Sequence, residues 1–205
     1  MKNVKGIWLP DHEEHMKVFA HEEGWRYQGE KQDIAMELCI ARKTAIDIGA
    51  HCGTWSMNLT KVFEEVHAFE PCMEHRECFE MNVSGNYTLY PFALGNKEMR
   101  ASLNIQPGSS GNSVITAGDD VDVKLLDSFH VKPDFIKIDC EGFEYFVIQG
   151  GEETIKEFHP VMVVEQKPGN GSHFGLTDTQ AIELLKSWGY KVNKVSHGDY
   201  FLTWS

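Results

Sequence analysis

Short apolar runs alternate with longer amphipathic stretches along most of the chain, and this alternation carries the fold class. Residues 44–48, 66–70, 87–92, 134–139 and 160–165 are each short and rich in apolar or aromatic side chains, as buried strands are. The intervals 54–63, 73–83 and 145–158 have the spacing of helices. Strands and helices that take turns in this way form a parallel sheet covered on both faces, so the pattern predicts a doubly wound α/β fold. Ahead of the first strand, Met16, Val18 and Phe19 among polar residues predict a surface helix over 11–23. A second helix is expected over 30–42, with Ile34, Leu38, Ile40 and Ala41 as its apolar side. Residues 1–43 therefore read as an N-terminal helical segment of a single domain spanning 1–205.

The rhythm fades between about 95 and 124. Gly, Ser and Asn dominate there, with β-like pieces at 101–105 and 121–125, so an irregular insert is expected. After 125 the pattern returns. Thr177 and Gln180 have capping-box spacing, Leu176 is placed as a hydrophobic staple, and a helix should run to about Trp188. Residues 190–195 and 200–204, joined through His197 and Gly198, predict a closing antiparallel hairpin.

Composition narrows the function. A formal charge of −12 argues against a broad nucleic-acid surface, which needs clustered Lys and Arg. The five cysteines form no Cys-x-x-Cys pair, so neither a disulfide framework nor a zinc knuckle is expected, and a reducing, cytoplasmic setting is. No secretory signal is expected at the N-terminus, and no run approaches the roughly 20 apolar residues of a membrane span. Neither nucleic acid nor a membrane is an expected partner. The sequence leaves oligomeric state open.

Three features carry chemistry. Asp47, Gly49 and Gly53 form a glycine turn off the first strand, where a doubly wound sheet binds its ligands. The turn lacks the Gly-x-Gly-x-x-Gly spacing of dinucleotide binders, and its acid would repel a diphosphate but suit an ammonium. Glu70 ends the second strand, where a carboxylate can accept both hydroxyls of a ribose. An amino-acid end near Asp47 and a ribose near Glu70 fit S-adenosylmethionine. The third feature is Lys137, Asp139, Glu141 and Glu144, three acids and a lysine crowded at one strand end, with Lys137 read first as an ion-pair partner.

Taken together, the Asp-Ile-Gly-Ala-x-x-Gly turn at 47–53, the Phe-Glu-Pro at 69–71, the Lys-Ile-Asp-x-Glu-Gly-x-Glu at 137–144, and Gly150 resemble the FkbM-type methyltransferase family over roughly 44–166. That resemblance implies a class I methyltransferase fold with a seven-stranded, mostly parallel sheet. It also implies S-adenosylmethionine as donor and hydroxyl oxygens of sugars, glycans or small natural products as acceptors. By the same resemblance, Asp47, Gly49, His51 and Gly53 would line the methionine end and Glu70 would take the ribose. Ala93 and Leu94 would flank the adenine, and Asp139 and Glu141 would face the reacting methyl group. Position 51 departs from the family, which usually has Asn there; an imidazole keeps the hydrogen bonding and adds a pH response.

Methyl transfer to a hydroxyl needs a base, and Asp139, Glu141, Glu165 and His173 are the candidates. Asp139 and Glu165, on neighbouring strand ends, are an alternative site for Mg²⁺ or Ca²⁺; a hydrogen-bonded acid cluster without metal is the reading adopted. His12 and His15 miss the His-Glu-x-x-His spacing of zinc proteases, so residues 12–15 read as a solvated helix face. Trp8, Trp25 and Tyr27 read as packing residues, and the Gly108 to Ser113 run as either an acceptor contact or a plain hairpin loop. Two rival functions remain: a nicotinamide oxidoreductase, and a module that binds the cofactor without turnover.

Overall fold

The computed structural model describes residues 1–19, 26–106 and 108–205. The chain opens with a small hairpin, β1 (Lys2–Val4) and β2 (Ile7–Leu9), followed by a 3-10 turn at Met16–Phe19. Then come α1 (Gly29–Leu38), β3 (Thr44–Ile48), α2 (Ser56–Val62), β4 (Glu65–Phe69), α3 (Met73–Asn82), β5 (Tyr87–Tyr90) and β6 (Ala93–Leu94). Two long strands follow, β7 (Met99–Gln106) and β8 (Ser109–Lys124), then β9 (Phe135–Ile138), α4 (Glu144–Gln149), α5 (Glu152–Phe158) and β10 (Val161–Glu165). The chain closes with α6 (Gln180–Trp188), β11 (Tyr190–Ser196) and β12 (Asp199–Trp204).

The main sheet has seven strands in the order β11-β12-β10-β9-β3-β4-β5. β5, β4, β3, β9 and β10 run parallel, and β12 is antiparallel to both β10 and β11. The chain builds outward from β3 in both directions, so a crevice opens beyond the carboxyl ends of β3 and β9. Alternation along each strand sends Ile46, Ile48, Ile136, Ile138, Met162 and Val164 into one core layer with α4, α5 and α6. Ala45, Phe135, Val163 and Phe201 enter the other layer, where Ala35 of α1 and Trp55 and Leu59 by α2 cover them.

The N-terminal expectation needs correction. The segment begins as a β-hairpin, and Asn82 of α3 holds it by accepting from the Trp8 backbone N–H (2.7 Å) and donating to the Trp8 carbonyl (2.9 Å). Of the expected helix over 11–23, residues 11–15 are turn and irregular chain and Met16–Phe19 is a 3-10 turn, while residues 20–23 and Trp25 lie outside the described residues. α1 stops at Leu38 because Cys39 turns extended, which leaves Ile40 98% exposed. The carboxylate of Asp134 takes the freed backbone N–H groups of Lys43 and Thr44 (2.7 and 3.1 Å) and starts β3.

The stretch 95–124 is not irregular. β7 and β8 form a long antiparallel hairpin, and β6 joins it as a second, three-stranded sheet. Most of β8 is exposed or half-buried, so it shows no apolar alternation to read. At the C-terminus only one arm of the capping box forms. The Gln180 side chain accepts from the Thr177 N–H (3.3 Å), while the helix itself begins at Gln180.

Candidate functional site

The turn after β3 is built by close backbone approach. Gly49 has φ +73°, and a Cβ there would lie 1.9 Å from the Asp139 carbonyl, so the turn sits directly on the end of β9. Gly53 also has positive φ, but a Cβ there would strike Val83 and Phe79 of α3. Its role is helix packing, and it lines neither cavity described below.

Asp47 and Lys137 are register partners on β3 and β9 and point to the same face. The Lys137 ammonium lies 3.2 Å from Asp47 Oδ1 and 3.9 Å from Asp139 Oδ2, and it donates to the Gly49 carbonyl at 2.8 Å. Burial alone would lower the Lys137 pKa, but Asp47 and Asp139 raise it well above the ordinary value. Asp47 also accepts the Ser56 hydroxyl (2.7 Å), is fully buried and lines neither cavity. The expectation that it meets the ligand is revised: its carboxylate holds Lys137, and Lys137 holds the turn.

Glu70, 5% exposed, receives the backbone N–H groups of His51 and Cys72, both at 2.8 Å, and faces His75 Nδ1 at 3.3 Å. Burial alone would raise its carboxyl, yet the hydrogen bond and charge of His75 hold it below the ordinary value. Burial alone would likewise lower His75, but hydrogen bonds to Cys72 and Glu70 and the Glu70 charge push it up to about 10. Glu70 and His75 thus form a buried ion pair. Burial, with the His75 charge beside it, pushes His51 down to about 3, so His51 is neutral. Sequence reasoning missed His75; its only signal was a place in the first turns of the helix after Glu70.

Two cavities meet at Gly49, His51, Gly111, Asp139 and Glu141. The first has Glu70 and His75 on one side and Phe69, Phe92, Ala93, Leu94 and Phe143 as an apolar wall. This combination fits a nucleoside: the carboxylate for a ribose, the wall for a purine. The second has polar walls and holds Tyr27, Gln28, Asn112, Lys137, Glu165 and Lys167.

At the junction, Asp139, Glu141 and Glu165 each place an oxygen within 4.8 Å of the others. Burial and the Asp139 charge push Glu141 up to about 7. The same two causes push Glu165 up to about 9, although Lys167 sits 2.8 Å from its Oε1. Oxygen donors at this spacing could hold a hard cation, but Lys167 and Lys137 already face the cluster with positive charge. Glu144 works behind it, accepting from the N–H groups of Cys140 (2.9 Å) and Gly142 (3.0 Å) and so shaping the turn that carries Glu141. His173 is elsewhere, in a separate groove with Phe143, Phe146 and Phe174. That placement removes it as a base for this site.

The N-terminal segment closes the site from above. Glu13 is fully buried, which corrects the solvated-face expectation at that position, while Glu14 and His15 are exposed as expected. Its carboxylate accepts from the N–H of Met16 and from both the N–H and hydroxyl of Ser110 at the start of β8. Ser110 in turn meets His51 Nε2 at 2.8 Å. The Gly108 to Ser113 run is therefore both hairpin turn and cavity wall, with Ser110, Gly111 and Ser113 lining the first cavity.

Comparison with known proteins agrees with this architecture. The sequence matches the methyltransferase FkbM domain over residues 47–192. No curated protein matches the sequence. Among solved structures, the methyltransferase FkbM from Methylobacillus flagellatus KT is 19% identical with a TM-score of 0.51, the match covering 80% of this chain and 44% of that one. This chain thus spans less than half the length of that relative. The precorrin-6y C5,15-methyltransferase from Geobacter metallireducens GS-15 is 16% identical with a TM-score of 0.53, covering 90% and 89% of the two chains. SMU.1697c from Streptococcus mutans, solved in complex with SAH, is 10% identical with a TM-score of 0.50, covering 87% and 97%. At such identities the likeness is one of fold. The family match runs from the end of β3 through the glycine turn, β4, β9 and β10 into β11, and on that ground the chain belongs to the FkbM methyltransferase family.

Proposed function

We propose that the chain transfers the methyl group of S-adenosylmethionine to a hydroxyl oxygen on a sugar, glycan or small natural product. The observation that carries this reading is the meeting, at Asp139 and Glu141, of a cavity that pairs the Glu70 carboxylate with an apolar wall and a polar one. Bound in the first cavity, the donor would supply a methyl carbon activated on a sulfonium. Glu70 would accept from the ribose hydroxyls, and Phe92, Ala93, Leu94 and Phe143 would enclose the adenine. The turn at Gly49, with no side chain of its own, would let backbone approach the amino-acid end.

Asp139 and Glu141 face the place where donor and acceptor would meet. Glu141 suits the base: burial and the Asp139 charge tune its carboxyl to about 7, close to the pH at which a proton acceptor works best. Glu165 and Lys167 line the acceptor side, where they can bind and orient hydroxyls.

The test has two stages. Calorimetry with S-adenosylhomocysteine should detect binding, and labelled-methyl transfer should then be scored over a panel of glycans and hydroxylated natural products. Because Glu141 must lose its proton to act, kcat/KM should rise with pH through about 7 and level off above it. Glu141→Gln should lower kcat by about 10²-fold or more, remove that limb and keep donor affinity. Absence of any O-methylated product, or full activity in the variant, would defeat the reading.

A further inference from the structure

We infer that Glu13 and Ser110 are positioning residues that lock His51 in the tautomer protonated at Nε2, so that Nδ1 presents a fixed acceptor to the ammonium of the donor's amino-acid end. This rests on the donor reading above and deepens it.

The proton count follows from three contacts. Glu13 Oε2 takes the Ser110 N–H at 2.7 Å and the Ser110 hydroxyl at 2.6 Å. Burial alone would raise the Glu13 carboxyl, but the Ser110 and Met16 hydrogen bonds hold it below the ordinary value, so it is an ionised, purely accepting group. Ser110 has one hydroxyl proton, and Glu13 takes it. Toward His51 Nε2, 2.8 Å away, Ser110 Oγ can therefore only accept, and Nε2 must carry hydrogen. Cys52 Sγ, 3.8 Å from the same nitrogen, is too weak a contact to reverse this.

The ring is neutral, with the His75 imidazolium packed edge-on at 4.3 Å between centroids. Its second nitrogen, Nδ1, thus keeps a lone pair, and among the described residues no group donates to it. His51 lines both cavities, and its own backbone N–H is already committed to Glu70. One residue therefore touches the Glu70 carboxylate with its backbone and offers an acceptor with its ring where the two cavities meet, beside Asp139 and Glu141, whose cluster Lys137 and Lys167 also face. The α-ammonium of the donor is the hydrogen-rich cation that matches.

Long-range proton–nitrogen NMR of the ligand-free full chain, labelled at histidine, should show a pyridine-type Nδ1 and a pyrrole-type Nε2 for His51. Ser110→Ala should leave a mixture of tautomers, and Ser110→Thr, which keeps the hydroxyl, should restore the wild-type pattern. Calorimetry should then compare S-adenosylhomocysteine with its analogue lacking the α-amino group. The wild type should prefer the amino compound by about tenfold or more, as a hydrogen bond to a charged group implies. In Ser110→Ala and His51→Phe that preference should shrink severalfold, and Thr should rescue it. A merely structural Ser110 would weaken both ligands equally. A protonated Nδ1 in the wild type, or an undiminished preference in both variants, would overturn the inference. If S-adenosylhomocysteine does not bind the wild type at all, the donor reading and the ammonium assignment fail together, while the spectra still decide whether Glu13 and Ser110 set the tautomer.

Discussion

The parallel core and the clasp above it wall the same cavities by different physics. In the core, β3, β9 and β10 are buried on both faces, and Asp47 and Lys137 are admitted only as a matched pair. The clasp, made of residues 10–16 and 108–113, is largely polar, with Glu13, Met16 and Ser110 buried, and the Glu13–Ser110–His51 contacts tie it down. Apolar burial accumulates over many residues, so the core should open only when the whole domain does. The clasp is tied by these hydrogen bonds and by the buried Met16 side chain alone among large apolar groups, so it should open at lower free energy than the core.

Substitutions can separate the two regions, beginning with the largest effect. Gly49→Ala places a Cβ 1.9 Å from the Asp139 carbonyl at a left-handed φ, forcing the turn off β9. Calorimetry should then find no S-adenosylhomocysteine binding, and thermal unfolding should show one of the largest losses of any single change.

His75→Ala removes one partner of a buried ion pair and should cost about 3–5 kcal/mol in denaturant titrations at neutral pH. His75 has its folded pKa raised, so its contribution is complete below its unfolded value of about 6.5 and disappears as pH rises through about 10. The gap between variant and wild type should therefore narrow toward pH 10; a constant gap would mean that His75 only packs.

Glu13→Gln weakens the clasp while keeping its shape. The expected loss is about 1–2 kcal/mol, confined to the clasp. Hydrogen exchange should quicken over 108–116 and leave β3 and β9 unchanged, whereas quickening throughout would erase the distinction drawn between the regions. The smallest effect belongs to Ile40→Ser. Ile40 is 98% exposed, so the unfolding midpoint should shift by less than about 0.5 kcal/mol.

The central strands were legible because burial on both faces leaves a short, mostly apolar run, as at Val161–Val164, broken in β9 only by Lys137. The closing hairpin was legible through its turn, where His197 and Gly198 both take positive φ. β7 and β8 were legible only in pieces, at 101–105 and 121–125, since a largely exposed hairpin has no continuous apolar side to betray its period. Ile40 misled for the opposite reason: its apolar character matched a helical face, but the chain had already turned at Cys39.

The sequence by itself determined the doubly wound order of elements, the glycine turn, and the acids at the ends of β4, β9 and β10. Each is local, because an apolar period or a strand-terminal residue reports its own surroundings. Only the tertiary structure decided that Asp47 faces Lys137, that His75 folds back on Glu70, that Glu13 and Ser110 converge on His51, and that His173 lies in another groove. Those outcomes depend on strand register and on segments far apart in the chain, and a polar contact across such distances leaves no periodic trace in the residues that make it.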